Sequence, residues 1–264
     1  QNCENELAAE GDSASGAVTF EGRTTRARAY PIGIDFAHFS KLGETGEARQ
    51  AEQRLISSTR RRLAMIGVDR LDYSKGIPER IDGIGRFFDR NPDSISELVF
   101  IQIAPPSRED VDSYQAIREE LEQKCGQING ARSEVDMVPI RYVNRGYSRQ
   151  ELFGIYRSAH VGLVTPLRDG MNLVAKEYIA AQDPDDPGVL VLSRFAGAAE
   201  QLNLDGEGAL LINPYSMEET SEAIRAAIDM PLEERKARWE KLNEVVKTTT
   251  VERWRENFVE ALSA

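Results

Sequence analysis

Two cations, Arg70 and Lys75, stand five positions apart directly after the apolar run LAMIGV. The stretch DRLDYSKGIPER holds them and runs into a Gly-Ile-Pro break, which is typical of a loop between a buried strand and a helix. The N–H groups and the dipole at a helix N-terminus favour an anion. Arginine and lysine side chains both pair well with phosphate oxygens. The stretch therefore indicates a diphosphate site.

A second polar stretch, DGMNLVAKE, covers residues 169–177. Gly170 permits a sharp turn, and a helix that starts after it would point the N–H groups of residues 172–174 at a phosphate. Glu177 lies about one and a half turns into that helix, where its carboxylate can accept two ribose hydroxyls. Asp169 stands at the loop tip and can accept the hydroxyls of a sugar.

Both stretches also have a purely structural interpretation. In the first, the two cations are surface groups bound to carboxylates of the same stretch: Asp69, Asp72 or Glu79. In the second, Asp169 caps the helix, and Glu177 pairs with Lys176 or an arginine. Neither stretch decides between the two interpretations by itself.

The composition is that of a soluble globular protein. The chain has 264 residues, 41% of them apolar, and no apolar run approaches the ~20 residues that a membrane span needs. No charged leader precedes an apolar core, so no secretion signal is predicted. The net charge of −11 argues against nucleic acid as a partner. Because the chain begins with Gln1 instead of Met, we expect a piece of a longer protein.

The cysteines and histidines predict neither a disulfide framework nor a metal site. Cys3 and Cys125 lie far apart, so a reducing compartment, the cytoplasm, is expected. His38 and His160 share no metal-ligand spacing. The chain also lacks a Walker lysine motif, a dinucleotide-binding glycine motif and a nucleophile elbow, which disfavours nucleotide hydrolysis, dinucleotide redox chemistry and serine-dependent hydrolysis.

Six apolar runs alternate with helical stretches from residue 61 onward. The runs are rich in Val, Ile and Leu without clean alternation, as in strands buried on both faces. Ser107 with Asp110, Ser148 with Glu151 and Ser216 with Glu219 resemble capping boxes at helix starts, and Gly126 can end the second helix. This order predicts an α/β fold, a Rossmann-like open parallel sheet with helices on both faces. The six runs are residues 63–68, 98–104, 138–143, 160–165, 189–193 and 209–213.

Composition also suggests a division of the chain into segments. Residues 1–16 are expected to be loop or disordered, and residues 17–34 to form a hairpin. Residues 35–60 form a helical connector, residues 61–230 the Rossmann-like domain, and residues 231–264 two helices with a Thr-rich break. These last helices carry apolar faces that suit docking on a neighbouring domain.

The polar residues gather at one edge of the predicted sheet. Arg70 and Lys75 follow the first strand, Arg108 the second, Tyr147 the third and Asp169 the fourth. In an open parallel sheet, ligands bind beyond the carboxyl ends of the strands. This convergence is the strongest sign of a functional site.

Four blocks along the chain together resemble the trehalose-6-phosphate synthases, glycosyltransferase family 20. The resemblance implies a GT-B enzyme, with two Rossmann-like domains facing a cleft. The chain would be the C-terminal, donor-binding half, and residues 1–34 a remnant of the N-terminal acceptor domain. The resemblance covers residues from about 28 to the C-terminus. The blocks are GVDRLDYSKGIPER, QIAPPSRED, GLVTPLRDGMNLVAKEYIAAQDP and FAGAA.

The resemblance implies a role for each candidate residue. Arg70 and Lys75 would hold the donor diphosphate, and Asp169 would bind hydroxyls of the transferred glucose. Glu177 would hold the ribose, and Tyr147 would lie near the uracil. Arg108 would reach the phosphate of the acceptor. The backbone lying along the donor would be that of Gly170, Met171, Asn172, Leu173 and Val174.

The reaction that the family implies is transfer of glucose from UDP-glucose to glucose 6-phosphate, with retention of configuration and without a metal or other cofactor. The missing N-terminal domain would be a partner of this chain, which we expect to bind donor weakly and not to turn over alone. A glucosylglycerol-phosphate synthase and a non-catalytic regulatory domain stay open as alternatives. The nucleotide of the donor, UDP, GDP or ADP, also stays open, as does a homo-oligomeric state.

Overall fold

The computed structural model describes residues 10–12, 16–60, 62–106 and 112–263. Short 3₁₀ turns link several of its elements. The strands of this part are β1 (Glu10–Asp12), β2 (Ala17–Phe20), β3 (Arg23–Arg26), β4 (Leu63–Val68), β5 (Leu98–Ile103), β6 (Ile140–Val143), β7 (Val161–Val164), β8 (Val189–Ser193) and β9 (Leu210–Ile212). The α-helices are α1 (Phe36–Lys41), α2 (Gly46–Thr59), α3 (Ile77–Arg90), α4 (Asp112–Arg132), α5 (Arg149–Arg157), α6 (Leu173–Ala181), α7 (Ala198–Leu202), α8 (Met217–Asp229), α9 (Leu232–Thr248) and α10 (Val251–Ser263).

A six-stranded parallel sheet forms the centre of the molecule, in the order β6-β5-β4-β7-β8-β9. Each of the six predicted apolar runs contains one of these strands, so the predicted α/β sheet is confirmed. Along the chain, β5 and β6 are added successively on one side of β4, whereas β7, β8 and β9 are added successively on the other side. The direction of growth therefore reverses between β4 and β7, which is where ligands bind in open α/β sheets.

Helices cover both faces of the sheet. One apolar cluster joins α1, α2, α5, α6, α7 and α9 to the sheet and includes Tyr156 and Tyr178. The other joins α3, α4 and α8 to the opposite face and includes Phe87 and Phe88. Successive residues of a strand point to opposite faces, so both faces of a central strand must be apolar. The unbroken Val, Ile and Leu runs follow from this requirement.

The predicted start of α5 is confirmed, and that of α8 is confirmed in part. Ser148 and Glu151 form a complete capping box at α5. Ser216 accepts from the backbone N–H of Glu219 at α8, but the carboxylate of Glu219 accepts from the N–H of Asn213 instead of closing the box. The third predicted box, at residues 107–110, lies outside the described residues.

The predicted end of the second helix at Gly126 is wrong, because α4 continues to Arg132. A single glycine costs a helix only about 1 kcal/mol relative to alanine. Contacts further along α4 outweigh that cost. The side-chain amide of Asn129, for example, bonds both backbone groups of Ile140 in β6.

The predicted hairpin at residues 17–34 is present as β2 and β3, which pair antiparallel. Contrary to the loop predicted for residues 1–16, β1 adds a third antiparallel strand at Glu10–Asp12. An open strand edge offers unpaired backbone groups, and a short polar segment can satisfy them without apolar side chains. Residues 1–9 and 13–15 lie outside the described part.

The helical segment predicted as a connector, residues 35–60, packs into the body of the molecule. Phe39, Leu42, Ala48 and Ala51 are all buried in the first apolar cluster. A Cβ on Gly154 of α5 would lie 2.0 Å from the backbone oxygen of Ala48. Glycine is therefore required there for the close approach of α2 to α5.

The last two helices are separated at the predicted Thr-rich break. Helix α9 buries Leu242 and Val246, whereas α10 buries none of its residues. The ring of Phe258 in α10 contacts the ring of Tyr30 at 5.3 Å. The α10 helix thus lies against the segment that follows the hairpin. Its docking on a further domain stays a prediction. Among the described helices, none is both long and apolar enough to cross a membrane.

Candidate active site

The loops after β4 and β7 meet beyond the centre of the sheet, and each carries one predicted site residue. Lys75 lies in the turn that leads from β4 into α3, and Asp169 lies in the loop between β7 and α6. The Nζ of Lys75 lies 2.6 Å from Oδ2 of Asp169. Their side chains are 17% and 16% exposed, so water screens this ion pair only in part. The structure therefore brings the two predicted polar stretches together at one point.

This contact corrects the partner that the structural interpretation predicts for Lys75. The carboxylate that binds its ammonium is Asp169, 94 residues away in the chain, and not one from its own stretch. Asp72 serves another purpose, since its Oδ1 accepts from the N–H and the hydroxyl of Ser74. It thereby holds the 3₁₀ turn that ends at Lys75.

Backbone contacts lock the two loops to each other. The backbone oxygen of Ser74 accepts hydrogen bonds from the N–H groups of Leu167 (2.8 Å) and Arg168 (3.2 Å). Gly76 has a φ of +62°, and a Cβ there would lie 2.7 Å from the backbone oxygen of Thr165. Both the conformation and the lack of space require glycine at this position. The position of Lys75 is thus set by backbone geometry as well as by its ion pair.

Arg70 has no partner in the described part of the chain. Its side chain is exposed, and no described residue forms a hydrogen bond or ion pair with its guanidinium. An exposed guanidinium near a helix N-terminus is free to bind an anion bidentately. This state agrees with the predicted phosphate role and not with a structural pair.

A buried arginine lies beneath the two loops, and sequence reasoning did not identify it. Arg80, on α3, is 1% exposed. Its Nε donates to the hydroxyl of Thr165 (2.8 Å), and its Nη1 donates to the side-chain oxygen of Gln102 (3.0 Å). Its Nη2 lies 2.8 Å from Oδ2 of Asp69, a contact of opposite charges without the alignment of a hydrogen bond. Arg80 thus connects the ends of β4, β5 and β7.

The charge of Asp69 depends on Arg80. Burial raises the pKa of the Asp69 carboxyl, and the charge of Arg80 opposes that shift. A spacing signal for the burial of Arg80 was present in the sequence. Ile77, Ile81 and Ile84 define the inward face of α3, and position 80 falls on the same face.

Asn172, and not Asp169, caps α6. Its Oδ1 accepts from the N–H of Ala175 (3.2 Å), and its Nδ2 donates to Oδ2 of Asp169 (3.1 Å). The cap therefore also fixes the carboxylate that binds Lys75. No described group accepts from the N–H of Leu173 or Val174, so both are free to bind an anion at this helix N-terminus, as predicted.

The loop from Asp169 to Met171 rests on the segment that contains FAGAA. The N–H of Gly197 donates to the backbone oxygen of Asp169 (2.9 Å), and that of Ala198 donates to the backbone oxygen of Met171 (2.8 Å). A Cβ on Gly197 would lie 2.1 Å from the backbone oxygen of Gly170. In contrast, a Cβ on Gly170 itself would have no described residue other than its chain neighbours within 4 Å. The space beside Gly170 is therefore open to a ligand.

Glu177 is half-buried on α6 and accepts no hydrogen bond from a described group. Burial raises the pKa of its carboxyl, and the charge of Arg149 acts in the opposite direction. The alternative pairing of Glu177 with Lys176 is wrong. The Nζ of Lys176 donates to the backbone oxygen of Ile32 and to the side chain of Gln201, and burial lowers the pKa of this amine to about 8. Glu177 thus keeps its carboxylate available for hydroxyl donors.

Tyr147 lies in the loop after β6, partly buried against the first apolar cluster. The guanidinium of Arg145 stands 4.6 Å above the centre of its ring. A cavity of about 270 Å³ opens beside these two side chains. Arg108 lies outside the described residues, so its predicted position is not tested.

The arrangement suits a long, doubly charged ligand. Cations and free N–H groups stand at the centre of the sheet edge, a carboxylate lies further along α6, and an aromatic ring lies beyond β6. In that order they match a sugar with a diphosphate, a ribose and a base. Among the described residues, no three His, Cys, Asp or Glu side chains lie together as metal ligands would.

Comparison with known proteins supports this interpretation. The sequence profile of glycosyltransferase family 20 matches residues 1–264. The trehalose-6-phosphate synthase of Sinorhizobium fredii is 47% identical over 94% of this chain, which spans 53% of that protein. The trehalose-6-phosphate synthase of Sodalis glossinidius is 46% identical over 89% of this chain, which spans 49% of it. The chain thus spans about half the length of these curated relatives.

Solved structures give the same result. The α,α-trehalose-phosphate synthase (UDP-forming) of Burkholderia xenovorans, in complex with glucose 6-phosphate, superposes with a TM-score of 0.91 at 45% identity. The match covers 98% of this chain and 56% of that one. The Escherichia coli protein bound with UDP-2-fluoro glucose superposes with a TM-score of 0.90 at 40% identity, over 98% of this chain and 56% of the other.

Proposed function

The chain belongs to glycosyltransferase family 20, and on this premise we propose that it is the donor-binding half of a retaining glucosyltransferase. The enzyme transfers glucose from UDP-glucose to glucose 6-phosphate, giving α,α-trehalose 6-phosphate and UDP. The observation that carries the proposal is the ion pair of Lys75 with Asp169. It stands where the sheet changes direction, with Arg70 in the same β4–α3 loop as Lys75 and, at the start of α6, N–H groups that no described residue accepts from.

Lys75, Arg70 and the start of α6 stabilise the leaving group. When the bond between the sugar and the diphosphate breaks, the negative charge on the diphosphate increases. Preorganised cations and N–H dipoles lower the energy of that charge without reorganising during the reaction. The N–H groups of Leu173 and Val174 are already aligned by the Asn172 cap. The leaving phosphate is then close enough to take the proton of the attacking hydroxyl on the same face of the sugar.

The remaining residues position the donor. Asp169 accepts hydroxyls of the glucose, and its contacts with Lys75 and Asn172 hold its carboxylate at one place. Glu177 accepts the ribose hydroxyls, and Tyr147 lies against the base. Holding a reacting group in a fixed geometry is itself a large part of catalysis. Arg108 would meet the phosphate of the acceptor.

The relatives named above favour glucose 6-phosphate as acceptor over the phosphorylated glycerol of a glucosylglycerol-phosphate synthase. A non-catalytic domain of the same fold would have no need of Arg70, Lys75, Asp169 and Glu177 together. Independence from metals and other cofactors, a cytoplasmic location, a homo-oligomeric state and the need for an N-terminal acceptor domain stay predictions.

A calorimetric titration of the chain with UDP tests the proposal. We expect Lys75→Ala to lower the affinity about ten- to a hundredfold, since a charged hydrogen bond contributes about 1.5–3 kcal/mol. Lys241→Ala is the matched control, because it also removes a lysine from an ion pair, with Glu207, on an exposed surface. It should leave the affinity unchanged.

Two results would contradict the proposal. One is equal UDP affinity in the chain and in Lys75→Ala. The other is no binding to a chain that melts cooperatively by circular dichroism, since the site is already formed by contacts within the chain.

A further inference from the structure

Arg145 is held over Tyr147 at the far end of the candidate site. Its guanidinium carbon lies 4.6 Å from the ring centre, and its Nη2 donates to the Tyr147 hydroxyl at 3.2 Å. A cation above a tyrosine ring is stabilised by the ring's negative face. Arg145 forms no ion pair with a described carboxylate. One of its N–H groups is therefore used within the protein, and the others of the five are available.

The cavity beside this pair has an apolar floor and a basic rim. Ile101, Ile103, Val143 and Ile155 form the floor, and Arg54 and Arg141 lie on the rim with Arg145. Its volume of about 270 Å³ lies just below the range of about 300–1,000 Å³ for small-ligand pockets. It suits one planar ring system and not a whole nucleotide.

The other two arginines of the rim are already engaged. Arg141 donates to the hydroxyl and to the backbone oxygen of Ser58, and Arg54 lies 3.4 Å from Glu151. No aspartate or glutamate is among the described residues that line the cavity. The ring system that enters thus meets arginine donors, those of Arg145 the least used beside Tyr147, and no carboxylate among the described lining residues.

We propose that Arg145 sets the nucleobase preference of the donor site, in favour of bases that carry a carbonyl oxygen on the exposed edge, uracil or guanine, and against adenine. This inference rests on the proposed function, because it assumes a nucleoside diphosphate with its phosphates at Lys75. The stacked guanidinium covers the mouth of the cavity and donates to the base edge.

The discrimination follows from hydrogen-bond chemistry. Guanine presents two neighbouring acceptors, O6 and N7, and uracil presents the acceptor O4, whereas adenine keeps the acceptor N7 but presents an amino donor in place of O6. Two donors that face each other form no hydrogen bond, and both lose water. Arginine has no acceptor with which to compensate. Selection therefore operates through Arg145 and leaves the phosphate contacts unaffected.

The experiment is a set of calorimetric titrations of the whole chain with UDP, GDP and ADP, at one salt concentration. The chain should bind UDP and GDP about tenfold or more tightly than ADP, as one well-placed base contact implies. Arg145→Met should remove most of this preference by weakening UDP and GDP, with ADP changed less than about twofold. Arg145→Lys, which keeps the charge but loses the planar fork, should also lose the preference for guanine.

Two variants separate this inference from the proposed function. Lys75→Ala should weaken all three nucleotides alike and keep their order. Arg90→Met, an exposed arginine on α3 paired with Glu222, should change nothing. If Arg145→Met leaves the order of affinities intact, or weakens all three equally, the inference is wrong and the diphosphate site stands. If the folded chain binds none of the three, both fall together.

Discussion

Lys75 and Asp169 form an ion pair of 2.6 Å across the boundary between β4 and β7. One residue is predicted to bind the phosphates of a donor and the other its sugar. Their contact therefore marks the place where the bond between sugar and phosphate would lie. The pair also keeps each charge in place before a ligand arrives, which reduces reorganisation on binding.

The first prediction separates these two roles. Asp169→Asn should lower the affinity for UDP-glucose about tenfold, because a charged acceptor of sugar hydroxyls is replaced by a neutral one. The affinity for UDP should be unchanged or higher, since a negative charge is removed from the neighbourhood of the phosphates. Calorimetric titrations with both ligands measure the difference. An equal loss for UDP and UDP-glucose would show that Asp169 acts only by holding Lys75.

The second prediction concerns Glu177. Glu177→Gln should weaken UDP about tenfold, because a neutral amide oxygen accepts ribose hydroxyls less strongly than a carboxylate. The same substitution should barely affect 2′,3′-dideoxy-UDP, which lacks both hydroxyls. A similar loss for the two nucleotides would exclude a ribose contact.

We also expect Glu177 to make UDP binding depend on pH. Burial raises the pKa of this carboxyl above its usual value. Affinity should therefore begin to fall at a higher pH on acidification than an ordinary glutamate would allow. The dependence on pH should be weaker in Glu177→Gln and for the dideoxy nucleotide, where the terminal phosphate of the nucleotide, with a second pKa of about 6, still titrates.

The third prediction concerns stability in acid. Burial, with Arg235 nearby, lowers the pKa of His160 to about 4, and Asp186 opposes this change. Between pH 6.5 and about 4 the unfolded chain binds a proton that the folded chain does not. The free energy of unfolding must then decrease as the pH falls through this window. The loss between about pH 7 and about pH 4.5 should be about 2 kcal/mol, because a pKa difference of one corresponds to about 1.4 kcal/mol and the full difference is lost only below the folded-state pKa of about 4.

Urea unfolding at about pH 7 and at about pH 4.5 measures the loss, because these two pH values enclose most of the window. His160→Gln should reduce the difference between the two pH values, because the variant has no group that titrates at this position. His38→Gln is the matched control, since His38 is exposed on α1. An equal acid loss in all three proteins would mean that other groups cause it.

Much of the site was predictable because the signals are local. The apolar runs identify the strands, and the polar residues that follow them must lie at the carboxyl edge of a parallel sheet. Lys75, Asp169, Glu177 and Tyr147 all lie where this rule places them. The capping box of α5 also depends on residues only three positions apart.

The contacts that the sequence did not predict are those that depend on which strands are neighbours in the sheet. The pairing of Lys75 with Asp169 requires β4 to lie beside β7, and the periodicity of either strand carries no such information. The strand at Glu10–Asp12 likewise pairs with the edge of β2, a pairing that its own sequence does not predict. The burial of Arg80, in contrast, could be predicted from the sequence, because its spacing places it on the inward face of α3. A charged residue on the buried face of a helix is not expected from the sequence. Its partners at the ends of three strands explain it.

The last prediction tests Arg80 as the support of the site. Arg80→Met should lower the free energy of unfolding by about 3–5 kcal/mol, because it leaves the buried carboxylate of Asp69 without a counter-charge. The double variant Arg80→Met, Asp69→Asn removes both charges and should recover part of that loss. Arg86→Met, on the same helix but half-exposed beside Glu218, should cost no more than about 1 kcal/mol. Urea unfolding gives all three values. If Arg80→Met and Arg86→Met are equally stable, the buried arginine does not support the loops of Lys75 and Asp169.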